Sequence, residues 1–306
     1  MAAHLSGSSF HTPVLYKESL HFLNIRPNGI YVDCTYGGGG HSHGILTELG
    51  NQGKLIAFDQ DKDVQKNLPL DPRFKFIPEN FRHIQRFLRL HDVIPVDGIL
   101  ADLGVSSHQF DTGERGFSTR FNGPLDMRMN ISQSKTAADI LLDFDKKELQ
   151  QMFEKYGEVS NAKTLAEHIV KNRQASRLKT IDAFKALLQP IVLGNPNKYL
   201  AQVFQALRIE VNDELGALKV MLEQLPGIMK KGARCVIISF HSMEDRLVKD
   251  FFKNAGKDIE KENPFSREKQ ETVFELITKK PVMASGEEIK MNPRSRSAKL
   301  RVAEKN

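Results

Sequence analysis

Residues 30 to 44 constrain the fold more than any other stretch: Ile30-Tyr-Val-Asp33-Cys-Thr-Tyr-Gly-Gly-Gly-Gly-His-Ser-His-Gly44. Ile30, Tyr31 and Val32 are β-branched or aromatic and predict a buried strand. Gly37 to Gly40 follow without interruption, and no strand or helix interior accommodates four glycines, because each adds about 1 kcal/mol of backbone entropy cost. They predict a loop. Ser42 then stands where a cap would open a helix carrying Ile45, Leu46 and Leu49. Strand, glycine loop and helix in succession bring backbone amides close to a ligand at a helix N-terminus.

The loop is not a dinucleotide fingerprint. G-x-G-x-x-G would need glycine at Ser42 or at His43, and no Gly-Lys-Ser/Thr phosphate loop is present. An acidic strand end, Asp33, followed by a glycine cluster suits a nucleoside with an amino-acid tail better than a pyrophosphate.

The chain continues with strands at Lys54–Phe58, Phe74–Ile77 and Val96–Leu100, the last running on to Asp102. Helices are predicted between them, over Asp61–Leu68 and over Asn80–Leu90, where Phe81, Ile84, Phe87 and Leu88 share a face. This alternation predicts an α/β fold, a Rossmann-like parallel sheet covered on both faces. It breaks after residue 104. From Val105 to about Asn197 no strand stands out. Residues 106–130 read as a loop or lid ordered on binding, and helical patterns follow at Ala137–Leu142, Lys147–Tyr156, Ala162–Lys171 and Ile181–Leu188. We read 105–197 as an inserted lid and helical domain, 10–104 and 198–306 as the sheet domain, and 1–9 as a disordered tail. Residues 199–230 predict helix with a break at Asn212-Asp213 and an end at Gly232. A fifth strand follows at Cys235–Phe240, with Ser242 capping the next helix. Residues 254–270 are charged and expected to be mobile, and Thr272–Thr278 alternates like a strand.

Three aspartates end neighbouring strands on the edge where open sheets bind ligands: Asp33, Asp59 and Asp102. Asp59 lies about 20 residues beyond the glycine loop, where a carboxylate accepts ribose hydroxyls in NAD and S-adenosylmethionine proteins alike. The run Asp59-Gln-Asp61-Lys-Asp63 is not a calcium loop, since Val64 and Leu70 replace the required glycine and glutamate. His41 and His43 lack the companions of a metal site, and no metal is expected. Cys34 and Cys235 are too few for a disulfide framework or a zinc site. With no apolar run of membrane-spanning length and no signal-like N-terminal segment, a cytoplasmic protein is expected. Lysine and arginine number 44 against 38 acidic residues, a mild lean towards a polyanion. The segment 290–301 concentrates that charge, with Lys290, Arg294, Arg296, Lys299 and Arg301 and no acid, and phosphate contact is its functional reading.

Eight blocks, in order, resemble one family. They are Phe10-His-Thr-Pro-Val-Leu15, Asp33-Cys-Thr-Tyr-Gly-Gly-Gly-Gly-His-Ser42, Asp102-Leu-Gly-Val-Ser-Ser107, Arg115-Gly-Phe-Ser118, Leu125-Asp-Met-Arg-Met129, Phe204-Gln-Ala-Leu-Arg-Ile209, Ser239-Phe-His-Ser242 with Glu244-Asp-Arg246, and Asn292-Pro-Arg294 with Arg296-Ser-Ala-Lys-Leu-Arg301. Together, over about residues 10 to 303, they resemble the RsmH (MraW) family of bacterial 16S rRNA cytosine N4-methyltransferases. The resemblance implies a class I methyltransferase sheet with an inserted helical domain, and S-adenosyl-L-methionine as cofactor. It implies cofactor contacts at Gly39, Gly40, His41, Asp59, Phe81, Asp102 and Gln109. The partner is then 16S rRNA of the small subunit in its decoding region, held by the insert and by Ser239, Arg246, Arg294, Arg296, Lys299 and Arg301; a homodimer stays open. Where the family usually carries arginine or lysine this chain has Gly38, and where proline usually precedes the glutamine it has His108.

Related amino-methyltransferases place Asn/Asp/Ser-Pro-Pro-aromatic after the fourth strand, and Asp102-Leu-Gly-Val occupies that place here without the prolines. We expect Asp102 or a nearby carbonyl to orient the target amine, with His241 and Ser239 lining the base pocket. Two other readings stay open. An NAD-dependent oxidoreductase lacks its third glycine, and a non-catalytic ribosome-assembly factor would bind rRNA without an intact pocket. A C5-cytosine methyltransferase would need a cysteine within residues 97 to 112, which contain none.

Overall fold

The computed structural model describes residues 13–176, 178–256 and 272–306. The tail expected over 1–9 lies outside them, as does the charged stretch from residue 257 to 270. Among the described residues eight strands form one sheet: β1 (Ile30–Asp33), β2 (Lys54–Phe58), β3 (Phe74–Ile77), β4 (Val96–Asp102), β5 (Met229–Ser239), β6 (Phe274–Leu276), β7 (Val282–Met283) and β8 (Lys299–Lys305). Their order is β3-β2-β1-β4-β5-β8-β6, with β7 also on β8. β1 to β5 are parallel, and β8 is antiparallel to its neighbours on both sides. That order, with one reversed strand beside β5, is the class I methyltransferase arrangement that the sequence implied.

The helices are α1 (Tyr16–Leu23), α2 (Gly40–Glu48), α3 (Ile84–Leu90), α4 (Ser107–Asp111), α5 (Ala137–Asp143), α6 (Lys146–Gly157), α7 (Ala162–Ser176), α8 (Ile181–Leu188), α9 (Pro196–Asn212), α10 (Glu214–Ile228), α11 (Ser242–Asn254) and α12 (Gly286–Met291). None is long and apolar enough to cross a membrane.

The central strands β1, β2, β4 and β5 carry apolar residues on both faces because both are covered. Val32, Ile56, Ile99, Cys235 and Ile237 face one core with Ile84 and Leu88 of α3, Leu222 and Leu225 of α10 and Phe252 of α11. The alternate positions Tyr31, Leu55, Leu100, Val236 and Ile238 face another, with Leu23 of α1 and Ile45 and Leu46 of α2. The two-residue period of a strand produces this division.

Two compact units result: residues up to Gly104 together with Leu218–Asn306, and Val105–Ala217. The second runs past the expected end at residue 197 because α9 buries Val203, Phe204 and Leu207 in its core, beside Leu149 and Phe153 of α6. Its arginine-rich segment is knit from within. The Arg115 guanidinium donates to the carbonyls of Arg128 and Met129, while Asn212 accepts from the Met129 amide and donates to the Met127 carbonyl.

The break expected at Asn212-Asp213 is found: α9 ends at Asn212 and Asp213 follows in left-handed backbone (φ 46°). Two local expectations need correcting. Residues 62–67 form a 3-10 helix, capped by the Asp61 side chain. Gly232 does not end a helix: it sits inside β5 at φ 75°, where the register with β4 shifts between Val96 and Gly98.

Candidate active site

The glycine loop is built by β1 and closed by β2. After Asp33 the chain turns, and the Tyr36 amide donates to the Phe58 carbonyl at 2.9 Å. Gly37 and Gly39 take left-handed backbone, φ 50° and 78°, which glycine adopts without a Cβ penalty. Gly39 is the N-cap of α2 and supplies no side chain to it. The helix therefore starts before Ser42, which is not its cap. Ser42 lies in the first turn, and its hydroxyl donates to Asp33 Oδ2 at 2.6 Å. Asp33 Oδ1 accepts from the Thr35 amide at 3.0 Å, and burial pushes its carboxyl up against these donors.

Asp59, one residue beyond β2, uses both carboxylate oxygens on backbone. Oδ2 accepts from the Gly37 amide at 2.7 Å, Oδ1 from the Asp61 amide at 2.8 Å. Burial raises it to about 6 in spite of these two donors. The run Asp59 to Asp63 is thus a set of turn and cap acceptors, since Asp61 in turn accepts from the Asp63 amide. From β3 the chain enters a 3-10 turn beginning at Phe81, whose ring packs partly buried against the first core. Asn80 joins the two turns: Nδ2 donates to Gln60 Oε1 at 3.0 Å, and Oδ1 accepts from the Arg82 amide.

Asp102 ends β4 beside them. Its amide donates to Thr35 Oγ1 at 2.7 Å. Its Oδ2 lies 3.7 Å from His41 Nδ1, beyond hydrogen-bond length. Burial, then the charges of Asp33 and Glu244, hold its carboxyl well above the ordinary range. Burial lowers His41 to about 4, so the imidazole is neutral at neutral pH and the contact is no ion pair. Asp102 Oδ1 and His41 Nε2 are both buried with no protein partner. Two such atoms beside an uncapped helix start need a ligand's polar groups to satisfy them. A nucleoside carrying a charged amino-acid tail has groups of that kind, so these residues fit the implied cofactor.

His241 and Ser239 are differently engaged than expected. His241, not Ser242, caps α11: Nδ1 accepts from the Glu244 amide at 3.4 Å and Nε2 lies 3.1 Å from Glu244 Oε1. Both ring nitrogens therefore face Glu244, whose Oε2 accepts from the Phe240 amide. Ser239 is 2% exposed and donates to the Lys299 carbonyl at 3.3 Å. Gln109 belongs to the second unit, where its side chain closes a capping box with Ser106 at the start of α4.

The basic segment divides. Arg246 and Arg296 are exposed and Arg294 is half-buried. Arg301 is 8% exposed, and its Nε donates to Asp245 Oδ1 at 2.6 Å. Lys299 reaches the other Asp245 oxygen at 3.5 Å. The expectation of a phosphate contact is therefore not carried to Arg301, because β8 is an interior strand and its guanidinium already has a carboxylate. Thr35 and Asn80 position the site without having been singled out, and Ser42 does so as a donor to Asp33 rather than as the cap its position predicts. Of the first two, only Asn80 left a local signal, as a helix-capping residue type ahead of an apolar-periodic stretch.

Comparison with known proteins places this geometry. The MraW methylase family matches residues 8–306. Ribosomal RNA small subunit methyltransferase H of Bacteroides thetaiotaomicron is 50% identical over 298 residues, covering 97% of this chain and 98% of the relative. The protein of the same name from Flavobacterium psychrophilum is 49% identical over 95% of this chain and 100% of its own length. Among solved structures, an rRNA methylase from Streptococcus thermophilus covers 95% of this chain and 93% of its own at 11% identity, with a TM-score of 0.38. A match over nearly the whole length, with relatives about 50% identical across it, shows that the chain belongs to the MraW methylase family.

Proposed function

We propose that this protein transfers a methyl group from S-adenosylmethionine to the exocyclic N4 amine of a cytosine in the decoding region of 16S rRNA, acting on the small ribosomal subunit in the cytoplasm. The relatives' shared name, ribosomal RNA small subunit methyltransferase H, supports the substrate. The observation that carries the chemistry is Asp102, a partly buried acid on the ligand edge whose buried Oδ1 no protein donor reaches.

Asp59 accepts the ribose hydroxyls, and the first-turn amides of α2 with Gly39, Gly40 and His41 meet the amino-acid end. The resemblance adds Phe81 and Gln109 to these contacts. The cofactor supplies a methyl group activated by its sulfonium. Cytosine N4 is a weak nucleophile because its lone pair is delocalised into the ring. Asp102 Oδ1 accepts a hydrogen bond from that amine and turns the lone pair out of conjugation, and it takes up the proton released once the C–N bond has formed. Burial, Asp33 and Glu244 all favour the protonated form of Asp102; the sulfonium of a bound cofactor would supply the positive charge that favours the ionised form this task needs. Much of the acceleration comes from holding both reactants in line. The base must leave its stack to reach the edge. Arg246, Arg294, Arg296 and Lys299 fix the RNA through phosphate.

Labelled S-adenosylmethionine, small subunits lacking the modification and mass analysis of the nucleosides test this reading. N4-methylcytidine that disappears in Asp59→Ala is the expected result. Cofactor binding without transfer would move the reading to another amine, and no binding at all to an assembly factor. The homodimer left open by the sequence is decided by light scattering of the pure protein.

A further inference from the structure

Residues 13–16 lie on the start of α2. A Cβ on Gly40 would collide with the Pro13 ring. The Tyr16 ring stacks on His41, centroids 6.1 Å and planes 25° apart, and its hydroxyl would lie 2.6 Å from a Cβ on Gly44. Between them Leu15 is fully buried and holds φ 51°, left-handed backbone that a leucine keeps only where its surroundings enforce it.

The enforcing contact comes from the far end of the chain. The Leu15 amide donates to Glu288 Oε1 at 2.8 Å, across 273 residues. Glu288 is the third residue of α12, whose cap Ser285 accepts from the Glu288 amide at 3.1 Å. In a Ser-x-x-Glu start the glutamate ordinarily turns back to the cap residue's amide. Here its Oε1 holds Leu15.

We propose that Glu288 is a positioning residue for cofactor binding: by accepting the Leu15 amide it seats Pro13–Tyr16 on α2, and through the Tyr16 ring it holds His41 at the helix start. This rests on the reading that the start of α2 is the cofactor's end of the site. Glu288 touches neither reactant, so its removal acts on ground-state grip more than on the chemical step.

The test compares Glu288→Ala and Glu288→Gln in the full chain with the wild type. Cofactor affinity is read by calorimetry, exchange of the Leu15 amide by NMR, and methyl transfer as KM against kcat. Glu288→Ala is expected to bind S-adenosylmethionine about tenfold more weakly, the loss of one charge-assisted hydrogen bond. Its KM rises in step, kcat holds, and the Leu15 amide exchanges faster. Glu288→Gln recovers most of the affinity, because its amide oxygen still accepts that N–H. Wild-type affinity in Glu288→Ala with a rapidly exchanging Leu15 amide overturns the proposal, and so does a Gln variant as weak as the Ala variant. Should Glu288→Ala fail to fold, Tyr16→Leu decides from the other side, and unchanged affinity there overturns it. A wild-type protein that binds no S-adenosylmethionine overturns instead the reading of the pocket on which this one rests.

Discussion

The Ser42 hydroxyl and Asp33 Oδ2 lie 2.6 Å apart, joining the first turn of α2 to the end of β1 across the glycine loop. The bond is buried, and the other donors to Asp33 are the Thr35 amide and the Thr35 side chain. Ser42→Ala leaves a buried carboxyl with one donor fewer. It is expected to cost about 1.5–3 kcal/mol, the range for a hydrogen bond to a charged group. Chemical denaturation measures the loss. Ser42→Thr, which keeps the hydroxyl, should recover part of it.

Acid titration separates two groups that pull in opposite directions. Asp59 stands at about 6 in the folded protein against an ordinary 3.8. Between those values the folded state binds more protons, so this group makes stability fall as pH rises. His41 stands at about 4 against an ordinary 6.5. Over that interval the unfolded state binds more protons, and this group makes stability rise with pH. The two slopes oppose each other between about 4 and 6. Asp59→Asn removes the first and leaves the second. The stability of Asp59→Asn relative to wild type should therefore increase from pH 4 to 6 and level off above. A difference that stays flat across that window would show that Asp59 titrates normally. Cofactor affinity of the wild type should weaken as pH falls through 6, since the ionised carboxylate is the better acceptor for ribose hydroxyls.

Arg301 and Arg296 belong to one basic segment and should behave differently when replaced. Burial would raise Asp245, yet Arg301 and Lys299 hold it below the ordinary carboxylate range. Arg301→Ala leaves that largely buried carboxylate with a single, more distant cation, and a loss of about 3–5 kcal/mol is expected. Exposed Arg296 has no such role. Arg296→Ala should leave the melting temperature unchanged, weaken rRNA binding and lower the salt slope of binding by about one. Melting curves and binding isotherms at several salt concentrations distinguish the two.

These contrasts mark where sequence reasoning reaches. β1, β2 and β4 were legible because each is a short, mostly apolar run buried on both faces and bounded by turn residues, and the edge strand β3 because Phe74, Phe76 and Ile77 surround an exposed Lys75. Asp33, Asp59 and Asp102 were legible as one constellation because a parallel sheet brings strand ends to a single edge. Caps were legible only where the side chain serves its own helix. Ser42 and Ser242 both look like caps, but Ser42 turns to Asp33, and α11 is capped by His241. Gly232 looks like a helix stop but serves a strand irregularity, since glycine's freedom marks a left-handed residue without saying which element contains it. Partners distant in sequence left no local trace. Nothing near Arg301 announces Asp245, 56 residues away.

The glycine loop gives the sharpest local test, because its members differ in what surrounds them. A Cβ at Gly38 meets nothing within 4 Å, whereas one at Gly39 would lie 2.6 Å from the Tyr36 hydroxyl on left-handed backbone. Gly38→Arg, the residue type common in the family there, should therefore fold like wild type and bind cofactor at least as well. Gly39→Ala should cost about 1–2 kcal/mol for the left-handed backbone alone. The Tyr36 contact adds to that, because Tyr36 is buried against Phe74 and Phe76 and has little room to retreat. Moving Tyr36 would also displace the loop whose Gly37 amide Asp59 holds, so cofactor affinity should fall along with stability. Parallel melting curves and binding isotherms for the two variants check this, and equal behaviour of Gly38→Arg and Gly39→Ala would show that the loop does not keep the described backbone.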